Sequence, residues 1–215
     1  MSTLGVMAAL ILVSLPACFA LGRDSPPLEV YVIGGASSPE HAAQIPGLAG
    51  IAIGVRRLDL APYLATPAIA VRRGTHEIVT SDFHRWGEDP GEGINRAVAR
   101  HLAAAAPFRV VDVAPWPVRS RYDYLIQLRV TRFEGVAPDE AAAPVGAAHV
   151  RASWEIIRQQ DETVLARGVT DHRADGWSVG DYAALVALLD QGLAVLARDV
   201  ASAIGGLAGR SPVPG

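Results

Sequence analysis

The sequence predicts an α+β fold: a two-layer domain whose mixed or antiparallel sheet of about six to eight strands is covered by two main helices. Three observations predict it. Residues 121–133 and 150–157 alternate apolar and polar, as strands with one wet face do. Two helical runs, one from Pro90 until Pro107 stops it and one near 178–208, carry clear start signals. The strand patterns group before the first run and between the two, without a repeating strand–helix unit. At 215 residues, 50% apolar, 19% charged and net charge −3, the chain can bury one sizeable core. We place a single domain at 28–208, a signal segment at 1–17, a tether at 18–27 and a disordered tail at 209–215.

In chain order, Leu28–Ile33 reads as a strand that breaks at Gly34-Gly35, and Ile51–Val55 reads as a second. Ala68–Arg72 and Glu77–Thr80 flank Arg73-Gly74-Thr75-His76, a hairpin connection with Gly at a position needing positive φ. Asp89 is a natural N-cap and Pro90 suits the first helical position. Ile94, Val98 and Leu102 then recur every four residues until Pro107 stops the run. Arg109–Val113 is a strand. In 121–133, Tyr122, Tyr124, Ile126, Leu128 and Val130 share one face, opposite Asp123, Gln127, Arg129 and Thr131. The strand at 150–157 turns at Gln160-Asp161-Glu162 into a partner, Thr163–Thr170. Ser178 is the expected cap of the last helix, with Trp177 against Tyr182 as a hydrophobic staple. Leu185, Leu189, Gly192, Leu196, Val200, Ala203 and Leu207 form its apolar stripe.

The N-terminus reads as an address. Val6–Leu15 is an apolar run of ten residues, too short to span a bilayer but right for a signal-peptide core. Leu15-Pro16-Ala17-Cys18 follows and resembles a bacterial lipobox, in which the Cys18 thiol accepts a diacylglyceryl group (palmitate-type chains). Pro16, and the absence of Lys or Arg before Cys18, depart from the usual pattern. Phe19 after the cysteine is similar to the outer-membrane sorting pattern.

The rest of the chain argues for binding over catalysis. Cys18 is the only cysteine, which excludes an internal disulfide and a cysteine-rich zinc site. All 19 basic residues are Arg and none form a run, against a nucleic-acid surface. The six histidines make no HExxH pair, and there is neither a GxSxG elbow nor a phosphate-cradling GxxxxGK[ST] loop. We expect no metal and no cofactor. Asp171-His172 is the nearest approach to a triad, but strand neighbours point to opposite faces.

The segment Ala61-Pro62-Tyr63-Leu64-Ala65-Thr66-Pro67-Ala68-Ile69-Ala70-Val71-Arg72 is similar to a stretch of the ABC-type transport auxiliary lipoproteins. Phe83-His84-Arg85-Trp86-Gly87-Glu88, ahead of the first helix, resembles a second motif of that family. Thr66 stands where an Arg is expected, and Tyr122-Asp123-Tyr124 is a shortened tyrosine motif. The resemblance implies a non-catalytic lipoprotein in the outer membrane, facing the periplasm, that serves membrane integrity. It implies as partners an MCE-domain protein and its ABC permease and ATPase; self-association stays open. Pro62, Tyr63, Arg72, Arg73, Arg85 and Trp86 are the expected partner-binding residues, and Cys18 the lipidation site. The alternatives are a membrane-tethered periplasmic hydrolase using Asp171 and His172, and an assembly lipoprotein of another envelope complex.

Overall fold

The computed structural model describes residues 26–35, 45–117, 120–139 and 144–209. Cys18, the signal segment, most of the tether and the tail beyond 209 lie outside the described residues. Nine strands form one mixed sheet: β1 (Glu29–Tyr31), β2 (Ala52–Val55), β3 (Asp59–Leu60), β4 (Ala68–Arg73), β5 (Glu77–Trp86), β6 (Val110–Val113), β7 (Tyr124–Ala137), β8 (Val145–Arg158) and β9 (Val164–Ser178). Among the described residues, two helices, α1 (Pro90–Ala105) and α2 (Tyr182–Ala208), and one 3-10 turn at Pro62–Leu64 accompany the sheet. The fold class is as the sequence predicts; the strand count exceeds the six to eight expected.

The sheet is organised on β7. One edge of β7 pairs antiparallel with β8, which pairs antiparallel with β9. The other edge pairs in parallel with β2, β3 and β4 in turn along its length. Strand β6 flanks β2, while β5 and then β1 extend the sheet beyond β4. Gly54, inside β2, leaves room for the Tyr122 and Leu125 side chains.

The helices seal one face of the sheet. Ile126, Leu128 and Val130 of β7 and Val150, Ala152 and Ile156 of β8 point to it, and all are buried. Leu185, Leu189, Leu193, Leu196, Val200 and Ile204 of α2 meet them, each essentially inaccessible. From α1, Ile94, Val98 and Leu102 complete the core. At the seam between the helices, His101 Nε2 lies 3.1 Å from Asp190 Oδ1, with Arg100 at 3.4 Å. Arg100 also donates to the Gly34 carbonyl, tying the turn after β1 to α1. No described helix is long and apolar enough to cross a membrane.

Local chemistry accounts for most boundaries. Asp89 Oδ1 accepts from the Glu92 amide at 2.9 Å, and Pro90 opens α1. Gly74 turns the β4–β5 hairpin at φ 57°. Two expectations need correcting. The cap of α2 is Asp181, whose Oδ1 accepts from Ala184 N at 2.9 Å, whereas Ser178 ends β9. Trp177 is buried and donates its Nε1 to the Asp181 carbonyl at 2.8 Å, so it fixes the entry to α2 from inside β9. And β5 runs past the expected end at Thr80 to Trp86, because a register shift opposite Ala68–Ala70 keeps it paired with β4 at Arg85 while its other edge takes β1.

Candidate docking site

The site is built by an irregularity in β7. From Tyr124 to Val130 the even-numbered residues face the helices. A bulge between Val130 and Arg132 then shifts the register, so Phe133 enters the core and Arg132 and Glu134 move to the outer face. Phe133 packs on Trp86 there, ring centroids 5.8 Å apart. The 3-10 turn, held by Pro62 in its first turn, brings Tyr63 onto the outer side beside the bulge.

Glu134 has no exposed side-chain surface and is ringed by donors. Arg72 Nε bonds Oε1 at 2.6 Å and its second nitrogen reaches Oε2 at 3.3 Å. Tyr63 donates its hydroxyl to Oε2 at 2.7 Å, with the Thr131 carbonyl at 3.1 Å. Arg132 adds a contact at 3.4 Å. The Arg72 guanidinium also lies over the Tyr63 ring, 5.8 Å from its centroid. Burial, then the bond to Glu134, pushes the Tyr63 phenol up to about 12. Glu134 likewise holds the Arg72 guanidinium protonated more firmly than usual. A buried carboxylate needs this many partners, because removing it from water costs several kcal/mol.

The polar network continues across the outer face. His149, the register partner of Glu134 on β8, lies with its Nε2 2.6 Å from Asp171 Oδ1, and Arg151 faces the other oxygen at 3.5 Å. The bond from His149, then the charges of His149, Arg151 and Arg132, lower the Asp171 carboxyl. The result is a charged, hydrogen-bonded strip beside a rigid Pro-Tyr corner. Such a surface can bind a polar protein partner; it holds no built cleft.

The structure gathers some of the expected residues and separates others. Pro62, exposed, Tyr63, half-buried, and Arg72 share the corner. Arg73 is exposed at the hairpin end, 3.9 Å from Glu77. Arg85 lies on the far part of β5, beside β1. Trp86 is a correction: at 6% exposure it is core beneath β5, with no surface to offer a partner. Glu134, Arg132 and His149 were not picked out by the sequence reading. The available signal was the change of apolar parity from Val130 to Phe133, which marks the bulge.

These features frame the comparisons with known proteins. The family model of the ABC-type transport auxiliary lipoprotein component matches residues 31–201. The chain belongs to that family. A protein from Xanthomonas campestris assigned to DUF330 shares the fold at TM-score 0.61 and 21% identity, covering 76% of this chain and 91% of that one. An uncharacterised protein of known crystal structure gives TM-score 0.62 at 16% identity, covering 83% and 99%. No curated protein matches the sequence.

In this auxiliary lipoprotein component, the Asp171-His172 pair does not assemble. Asp171 points to the outer face, while His172 faces α2 beside Gly192. A cavity of about 480 Å³ at the start of α1 is lined by Arg57, Asp89, Glu92, Asn95, Arg96 and apolar residues. Asp89 caps α1, and Arg96 is paired with Glu88, which lies outside the lining. No serine, threonine or cysteine among the described residues lines it.

Proposed function

We propose that this protein is an outer-membrane lipoprotein, acylated at Cys18 and facing the periplasm, that docks the MCE-domain protein of an ABC-type lipid transport system. Family membership supports the accessory role in ABC transport. The observation that carries the docking reading is the Pro62–Tyr63 corner clamped on buried Glu134. A turn held by proline, a phenol and a doubly bonded guanidinium is already ordered, so binding there loses little conformational entropy. Tyr and Arg are also the residue types that dominate interface energetics. Arg73, exposed at the hairpin end one residue past Arg72, points to the opposite face and adds positive charge that acts mainly on encounter rate. Arg85 stands apart from this surface. The protein performs no catalytic step in this reading; it fixes a partner at the membrane.

The test is capture. Acylated protein in vesicles should retain the MCE-domain protein encoded with its ABC permease, and Pro62→Asp with Arg73→Glu should weaken retention without changing the melt. Retention equal to wild type by that folded variant would remove the corner from the account. Cys18→Ala should leave unprocessed precursor or release the protein from membranes. An unmodified Cys18 thiol in the mature wild-type protein would contradict the anchor.

A further inference from the structure

Strand β1 carries an apolar face that no other described residue covers. Leu28, Val30 and Val32 are 56%, 57% and 54% exposed, and as alternate residues of an extended segment they point the same way. Phe83 on neighbouring β5 is exposed as well, and Arg85 is the register partner of Val30. The opposite face of β1 is engaged: Tyr31 and Glu29 both reach His84, which stacks on Tyr182 of α2 at 4.1 Å. That arrangement turns the Glu29 carboxylate away from the apolar side. Gly87 contributes to the same surface by omission, since a Cβ there would come within 2.7 Å of Val30 Cγ1. Val30 and Val32 therefore lie flat over bare backbone.

We propose that this face of β1 rests on a phospholipid bilayer carrying anionic headgroups. The proposal rests on the anchor at Cys18, and the length of chain between them supplies its argument. Leu28 follows Cys18 by ten residues, a reach of at most about 35 Å, so β1 is the strand whose chain connection holds it nearest the bilayer. Aliphatic side chains enter the headgroup boundary there, while Arg85, with no ion-pair partner among the described residues, meets lipid phosphate. A strand-adding protein partner is disfavoured, because β1 offers only three ladder residues. The acyl chains supply the attachment; the face sets the orientation of the domain.

The experiment separates this contact from acylation. The mature chain with Cys18 replaced by a hexahistidine tag is held on vesicles of phosphatidylethanolamine and phosphatidylglycerol doped with nickel-chelating lipid. A polarity-sensitive fluorophore sits at Val30→Cys or, as control, at Val169→Cys, an exposed site on β9. The Val30 probe should shift to the blue on the vesicles and be quenched by bilayer-embedded spin labels, while the Val169 probe stays water-like. Two results overturn the proposal: a Val30 probe as wet as the control on vesicles, or a blue shift that appears in concentrated protein without lipid, which assigns the face to a second copy. Failure of the native protein to be acylated would overturn the anchor but leave this readout intact.

Discussion

Glu134 is a carboxylate without solvent, so its neighbours must supply what water would. Arg72, only 15% exposed at its side chain, supplies most of it. Replacing Arg72 with Met strands the carboxylate and should cost about 3–5 kcal/mol in urea unfolding. Arg73, one residue on, meets Glu77 at the surface, so Arg73→Ala should stay within about 0.5 kcal/mol. Equal effects at 72 and 73 would contradict the burial argument. Tyr63 adds a pH signature. Its folded pKa, raised to about 12, exceeds the value near 10 of an unfolded tyrosine. The proton is thus held more tightly in the folded state, and the associated stability is complete below pH about 10 and lost as pH rises through about 12. The stability gap between wild type and Tyr63→Phe should be constant from neutrality to pH about 10 and shrink above it, as chemical denaturation across that range would show.

At the scale of elements, α2 is the lid of the core. Its six buried aliphatics from Leu185 to Ile204 cover β7, β8 and β9. Leu189→Ala or Leu193→Ala should each cost about 2–5 kcal/mol, and a chain ending near Asp175 should lose its cooperative melt. Asp181→Ala should cost about 1 kcal/mol through the lost cap, whereas Ser178→Ala should be near neutral. The same elements show what a sequence discloses. The α1 start was legible because Asp89-Pro90 has one local meaning, and so was the Gly74 hairpin. The α2 cap was misread since Ser178 and Asp181 are both chemically able to cap. Only the packing of Trp177 inside β9 decides between them. The extensions of β8 to Val145 and of β9 to Ser178 were illegible for another reason. Ala, Gly and charged residues there have weak strand preference, and the long antiparallel ladder imposes the conformation. Of the candidate site, Tyr63 and Arg72 were visible as a motif, but Glu134 was not, because its burial depends on a bulge and a distant turn meeting in space.

Over the whole molecule, one face of the sheet is closed by helices and the other is divided. The middle of the outer face is a hydrogen-bonded charged strip, its β4 side bears the Pro-Tyr corner, and its β1 edge is apolar. If Cys18 is the anchor, as we propose, the domain can rest its β1 edge toward a membrane while holding the corner clear of it. In the function we propose, this division of labour lets the accessory protein of an ABC transport system hold its partner at a defined position. The most direct test measures the affinity of the tag-tethered mature domain for the MCE-domain protein, comparing wild type with Pro62→Asp and Arg73→Glu combined. Both positions are exposed, and the melt checks that the variant is folded. The account predicts at least about tenfold weaker binding, equivalent to about 1.4 kcal/mol. Unchanged affinity in a variant that melts like wild type would contradict it.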